Sequence, residues 1–332
     1  MAAESSFLSY IIGCIKGYSR VDFREYVRGK SINTVDIIMN SNNPSNENIV
    51  YYIKTGNAFS GFGAQLRRTL EALAYADYFG FIPYVEYTKD FLYGETEKIN
   101  ECNNPFEYYF TQPSMINDQN LYSYNWIYYN EEHRKIVNKL GYKIDSYSVS
   151  EEYITYMAFI IKKHLNINAF TKDYLNNSYK SLNLKNIVIG VHVRGTDFNT
   201  GYKNHPAIIT VRDYFDVIDS ILAKEKTVSC IFLATDEQNI IESFQNRYGT
   251  SVTYYDDVYR SSDGSPIHFS KDQRNNHHYK LGLEILRDII TLSKADYLIA
   301  GNSQVSYCAR MFKKSFDEDY KDKIILDSGL YK

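Results

Sequence analysis

Residues 186–198 read N-I-V-I-G-V-H-V-R-G-T-D-F, a dense apolar run that stops abruptly at His192, Arg194 and Asp197. A short apolar run without a polar face reads as a strand covered on both sides, the pattern of a parallel sheet in an α/β fold. Two later runs end in the same manner. Residues 228–233 lead into Ala-Thr-Asp-Glu at 234–237, and 295–300 lead into Gly-Asn-Ser-Gln at 301–304. Helices cover both faces of such a sheet, so only the carboxyl ends of its strands open onto a ligand crevice. Function is expected at that rim, where a guanidinium and carboxylates converge as in an anion site.

The segments between the runs have helical periodicity. Residues 211–224 place Phe215, Val217, Ile218 and Leu222 at mixed i, i+3 and i+4 spacings, and residues 279–292 do the same with Leu281, Leu283, Ile285, Leu286, Ile289 and Ile290. From residue 186 onward the chain therefore reads as a βαβαβ half with right-handed crossovers, closed by a strand at 323–326.

A chain of 332 residues is long enough for two domains, each with a core, and 44% apolar residues fit a globular protein. The net charge of −3 and a pI near 6.2 speak against nucleic acid as the main partner. Cys14, Cys102, Cys230 and Cys308 show no metal-ligand spacing and no disulfide framework, and the apolar surroundings of Cys230 and Cys308 suit reduced core thiols. The apolar run 7–15 is too short to span a bilayer and has no basic residue before it, so a cytoplasmic protein without a transmembrane segment is expected. Peripheral association with a membrane stays open.

The amino-terminal half is organised around Ser60-Gly61-Phe62-Gly63-Ala64-Gln65-Leu66, followed by an apolar helix at 66–79. Glycines before a helix let backbone N–H groups approach a diphosphate with no Cβ in the way, although such a loop can also be an ordinary turn. Residues 51–55 and 82–87 are the expected flanking strands, 40–48 a loop, 178–185 the linker between halves, and 1–50 a helix or two.

Four stretches together resemble the α1,6-fucosyltransferase group, which includes rhizobial nodulation-factor fucosyltransferases and eukaryotic core fucosyltransferases. Residues 61–66 look like its Gly-x-Gly-x-Gln-Leu loop, and 191–197 look like its His-x-Arg-Arg/His motif. Leu233-Ala234-Thr235-Asp236 looks like its second motif. The run 283–312, with Asp288, Asp296, Ser303, Gln304 and Val305, is similar to the third. The resemblance implies a GT-B-like α/β fold, two facing Rossmann-like domains at 1–180 and 181–332, with the second holding a GDP-sugar and the first the acceptor. It also implies a hexosyltransferase without metal or other cofactor, moving L-fucose from GDP-β-L-fucose to a glycan hydroxyl with inversion.

Carried onto this chain, the resemblance assigns the donor site to Gly61, Gly63, Tyr93, His192, Arg194, Asp236, Asp288, Ser303 and Gln304. Arg194 would neutralise the departing diphosphate through a bidentate fork that lysine lacks. Gly61, Gly63, Ser303 and Gln304 would cradle the phosphates, Asp288 would accept from guanine, His192 would flank the base and Tyr93 would meet the ribose. Asp236 would cap the following helix while facing the nucleotide. Asp296 reads as structural.

The chain departs from the pattern where many members carry a second cation after the arginine; it has Gly195. The lysine and glutamate that core enzymes place soon afterwards are missing, with Phe198 and Tyr202 near those positions. The general base is open, with Asp197 and His205 as candidates beside Arg194 in the catalytic set. The aromatic clusters 108–110 and 122–129, around the single Trp126, suit either an acceptor wall or core packing. A different GDP-sugar donor, or a catalytically silent nucleotide- or glycan-binding protein, remain as alternatives.

Overall fold

The computed structural model describes residues 18–22, 36–40, 48–142, 148–194, 207–260 and 274–331. The first five-stranded sheet has the order β1-β2-β6-β3-β4, built from β1 (Tyr18–Asp22), β2 (Asp36–Asn40), β3 (Ile49–Thr55), β4 (Ile82–Tyr87) and β6 (Asn125–Tyr128). β3 runs parallel to β4 and β6, while β2 joins β6 and β1 joins β2 antiparallel. A two-residue pair, β5 (Phe110–Thr111) and β7 (Asn166–Ile167), stands apart. The described parts of the first 50 residues are strands, and the helix or two expected between residues 1 and 50 lie outside the described residues.

The second sheet is parallel throughout, in the order β10-β9-β8-β11-β12, from β8 (Ile187–Val193), β9 (Val228–Thr235), β10 (Val252–Thr253), β11 (Tyr297–Gly301) and β12 (Asp322–Leu326). β9 lies on one side of β8 and β11 on the other, so the winding direction reverses at β8. In open parallel sheets that reversal opens a crevice at the carboxyl ends of the two diverging strands.

Among the described residues the α-helices are α1 (Phe62–Phe79), α2 (Ile136–Lys139), α3 (Glu151–His164), α4 (Ala169–Ser181), α5 (Val211–Lys224), α6 (Gln238–Tyr248), α7 (His277–Lys294) and α8 (Gln304–Ser315). Their ends follow local chemistry. Ser150 and Asn168 accept N–H bonds at the starts of α3 and α4, and Thr210 with Asp213 forms a capping box on α5. Gly80 ends α1 at φ 74°, where its N–H meets the carbonyls of Ala76 and Asp77. α4 continues to Ser181, so the passage between the sheets is shorter than the expected linker.

α5 and α6 cover one face of the second sheet, with Ile218, Ile221, Ile241 and Phe244 against Val191, Leu233 and Ile299. α7 and α8 cover the other face through Leu292 and Ala309. Their outer sides are not left to solvent. Leu281, Leu283, Leu286, Tyr307, Met311 and Phe312 belong to the same core as Phe62, Leu66, Leu70, Tyr109, Tyr153 and Ile160 of the first half. Gly282 permits this closeness: a Cβ there would lie 2.3 Å from Tyr109 Oη, which donates to the Tyr279 carbonyl at 3.0 Å. The α7–α8 layer is buried from both sides, and its buried residues include polar ones such as Glu284, Arg287, Arg310 and Lys313 beside the apolar ones. Ion pairs tie its rim, with Glu151 held by Arg310 at 2.5 Å and Lys323 at 3.1 Å, and Lys162 joined to Asp317 at 2.6 Å.

Candidate active site

At the point where the second sheet reverses, His192 near the end of β8 pairs in register with Ala300 of β11 and Ala234 of β9. β11 ends at Gly301 and the chain turns into α8 through a capping box. Ser303 Oγ accepts from the Ser306 N–H at 3.1 Å, while the Ser303 N–H donates to Ser306 Oγ at 3.2 Å. Ser303 Oγ also lies 3.3 Å from His192 Nδ1. Arg194 follows β8 directly and is half-buried. The structure thus unites His192, Arg194, Ser303 and Gln304, four of the residues expected from the sequence, at one corner.

The glycine loop of the first half meets this corner. α1 starts at Phe62 rather than Leu66, with Gly61 as its N-cap and Gly63 inside its first turn. A Cβ on Gly63 would stand 3.0 Å from the carbonyl carbon of Gln304 and 3.1 Å from its oxygen, so Gly63 lets the first turns of α1 and α8 touch. The Gly63 carbonyl accepts from Cys308 Sγ at 3.6 Å. A Cβ on Gly61 would meet only Tyr93 Oη at 3.9 Å, which leaves room on that side. Gly63 thus packs helix against helix, while Gly61 retains open space.

Two helix amino termini pointed at one place concentrate positive potential there. Neither α1 nor α8 has an acidic residue in its first turn to offset it. With the Arg194 guanidinium at the adjoining strand end, the corner suits an anion of high charge density. Tyr93 is buried to 1% exposure and its Oη accepts from the Phe62 N–H at 3.1 Å. Its place in the structure is beneath the loop, where it sets the direction of the α1 start.

Asp288 belongs to a second corner, beside the chain that follows β10. Burial pushes its carboxyl up to about 7, against the opposing pull of Arg287 and Arg260. Around it, Arg287 donates a bidentate fork to Asp257 at 2.6 and 3.0 Å, and its guanidinium lies 3.8 Å from the Tyr255 ring centre. Arg260 donates to the Tyr255 carbonyl at 2.5 Å, and Tyr255 Oη is 2.8 Å from Thr291 Oγ1. The carboxylates of Asp257 and Asp288 offset the mutual repulsion of the two guanidiniums. β10, β9 and β8 are neighbours, so the two corners are separated by about 10 Å, two strand spacings along the sheet edge.

Asp236 does not cap α6. The N-cap is Glu237, with no side-chain cap bond, and the turn is held by Thr235 Oγ1 accepting the Glu237 N–H at 3.3 Å. Glu237 is buried, and burial with the neighbouring Asp236 raises its carboxyl above the ordinary range. Asp296 is structural as expected, accepting from the Val188 N–H at 2.9 Å. Asp197 and His205, together with Gly195, Phe198 and Tyr202, lie outside the described residues, as does Cys14. Cys102, Cys230 and Cys308 are free thiols.

Tyr108, Tyr109 and Phe110 are fully buried, so the first aromatic cluster is packing and not an acceptor wall, while in the second Trp126 is 4% exposed. In the second cluster Tyr128 is the described aromatic that opens substantially to solvent. Arg260, Arg287 and Asp257 were not expected at the site. Their signal was present in Tyr254-Tyr255-Asp256-Asp257, a polar turn after a strand, but β10 has only two residues and leaves no apolar run to mark it. Among the described residues no group of His, Cys, Asp and Glu is arranged to hold a metal, and no helix is long and apolar enough to cross a membrane.

The architecture can be set beside known proteins. Residues 143–326, more than half of the chain, match the family described as alpha-(1,6)-fucosyltransferase N- and catalytic domains. This match defines a glycosyltransferase enzyme. The chain belongs to the α-(1,6)-fucosyltransferase family. Among solved structures it is similar to the NodZ alpha-1,6-fucosyltransferase co-crystallized with GDP, at 15% identity and a TM-score of 0.49 over 80% of this chain and 92% of that one. Fucosyltransferase NodZ from Bradyrhizobium gives 14%, 0.48, 79% and 92% for the same quantities. POFUT1 in complex with GDP-fucose gives 10%, 0.41, 84% and 97%. No curated protein matches the chain in sequence.

Proposed function

We propose that this enzyme transfers L-fucose from GDP-β-L-fucose to a glycan hydroxyl, with inversion at the anomeric carbon and without a metal ion. The observation that carries the proposal is the meeting of the α1 and α8 amino termini beside Arg194, with no acidic residue in either first turn. A leaving diphosphate gathers charge as the sugar departs. Fixed N–H dipoles and one guanidinium can neutralise it without solvent reorganisation, a role worth about 3 kcal/mol for a single well-placed donor. Membership of a fucosyltransferase family supports fucose as the sugar that is moved.

On this reading the nucleotide lies along the carboxyl edge of the second sheet. Its phosphates sit between β8 and β11 and its base beside Asp288, across the span of about 10 Å that separates the two corners. Asp288 as carboxylate accepts from guanine N1–H and the exocyclic amine, a pattern that uracil does not offer. Residues 1–180 then supply the acceptor side and 181–332 the donor side. The acceptor's proton passes to Asp197, His205 or the departing phosphate, and an oxocarbenium-like transition state needs little help from that base.

Calorimetric titration with GDP, GDP-fucose, GDP-mannose and UDP in EDTA, on wild type and Arg194→Ala, tests the proposal. GDP binding that survives EDTA, weakens at least tenfold in the variant and is absent for UDP is expected. A wild-type chain that binds no GDP sinks the donor assignment.

A further inference from the structure

Between β3 and α1 the loop at 56–61 is pinned along its whole length. The Thr88 N–H donates to the Thr55 carbonyl at 2.9 Å, and Thr88 Oγ1 donates to the Gly56 carbonyl at 3.0 Å. The Leu92 N–H donates to the Asn57 carbonyl at 3.2 Å. Asn57 Oδ1 accepts from the N–H groups of both Phe59 and Ser60, at 2.9 and 2.7 Å. Gly56 sits at φ 129°, where a Cβ would press within 3.2 Å of Thr88 and Phe91. Tyr93 secures the far end through Phe62.

Out of this fixed loop projects Phe59, with 83% of its surface in water. An aromatic ring left in water ordinarily marks a mobile tip or a chance surface residue. Here the backbone on both sides is held by hydrogen bonds, and the ring stands two residues before Gly61, the one loop glycine with open space. Rigid presentation lowers the ordering cost of any partner that stacks on it.

We infer that Phe59 is the platform on which the acceptor glycan stacks the C–H face of a pyranose ring, next to the donor. This rests on the fucosyl-transfer reading. One ring flanked by Ala58, Ser60 and Asn57 is far below the roughly 1,000 Å² that a stable protein interface needs, yet matches the face of a single sugar. Its place at the glycine loop is also where an acceptor hydroxyl must come to reach the donor's anomeric carbon. Phe59 acts as a binding and positioning residue, and no proton or charge passes through it.

The full-length enzyme with GDP-fucose is assayed by mass spectrometry against a panel of neutral oligosaccharides of defined linkage, built on N-acetylglucosamine, galactose and mannose. On the best acceptor, Phe59→Ala is expected to raise the acceptor KM roughly tenfold, the loss of one aromatic contact of about 1.4 kcal/mol. The GDP-fucose dissociation constant and kcat at saturating acceptor should stay within about twofold, and Phe59→Tyr should restore the KM. An unchanged acceptor KM overturns the inference and leaves the function standing, as does a rise confined to the donor constant, which would assign the ring to the nucleotide-sugar. Wild type that binds GDP but transfers to no member of the panel overturns the acceptor platform. Wild type that binds no GDP overturns the function itself.

Discussion

The two corners at the carboxyl edge of the second sheet hold charge in opposite ways. At the β8–β11 corner the positive potential comes from backbone dipoles and Arg194, and the ordering is mechanical: a capping box, a glycine contact and a buried tyrosine. At the β10 corner ionisable side chains of both signs are packed together, from buried Arg287 to exposed Asp257. Arg287 and Arg260 face Asp257 and Asp288, and the Asp288 carboxyl is pushed up to about 7. Backbone dipoles do not titrate, so the share of the first corner's field that comes from the α1 and α8 termini is the same at any pH the fold survives, and His192 beside Ser303 is the ring there that can take a proton. The second changes state within the physiological range. A single ligand that spans both corners draws a constant contribution from one and a pH-dependent contribution from the other.

The sharpest way to break this contrast is Arg194→Ala. Loss of its charge at the leaving group is expected to lower kcat by about 10²-fold or more, the scale of one oxyanion-type donor, with the same factor from pH 6 to pH 8. A factor that changes strongly across that range would show that His192, 3.3 Å from Ser303, contributes to the field at the leaving group. Gly63→Ala comes next. With the Gln304 backbone 3.0 Å from the new Cβ, the α1–α8 contact must open, at a cost of about 1–3 kcal/mol read by denaturant melts, with weaker GDP binding alongside.

The pH dependence of GDP affinity tests the second corner. Asp288 must be ionised to accept from guanine, so affinity should be flat above about 7 and fall toward tenfold per pH unit below it. Asp288→Asn should remove that slope and weaken GDP at pH 8. The sign for stability is the reverse. An acid whose folded pKa is raised from 3.8 to about 7 stabilises the empty protein while it holds its proton, and that contribution is lost as pH rises through 7. The thermal shift produced by saturating GDP should accordingly be larger at pH 8 than at pH 6. Gly61→Ala has the smallest expected effect on the fold. At φ −59° and ψ 158° alanine is unstrained, and stability should move by less than about 0.5 kcal/mol while GDP affinity falls, because the open space serves the ligand.

The second sheet was legible from the sequence because its strands are buried on both faces and turn polar only at the ligand edge; 187–193, 228–235 and 297–301 all carry that signature. The placing of His192, Arg194, Ser303 and Gln304 at those strand ends was legible for the same reason. β1 and β2 were not, since Y-S-R-V-D and D-I-I-M-N are too short and too mixed to show a period. The two glycines looked alike in sequence, and only the approach of Gln304, more than 200 residues further on, separates them. Likewise Tyr108 and Tyr109 could be surface or core, and the decision came from Gly282 on a helix of the other half. Asp236 missed the helix cap by one residue, because the Thr235 hydroxyl already holds the turn.

The α7–α8 layer has a thermodynamic consequence. Its residues complete the core of the first half and the covering of the second sheet at once, so neither half can melt without stripping the other of a wall. Heat should unfold the chain in one cooperative calorimetric transition in spite of its two sheets. A fragment running from residue 181 to the carboxyl end would carry Leu283, Met311 and Phe312 as an exposed apolar face and aggregate rather than bind nucleotide on its own.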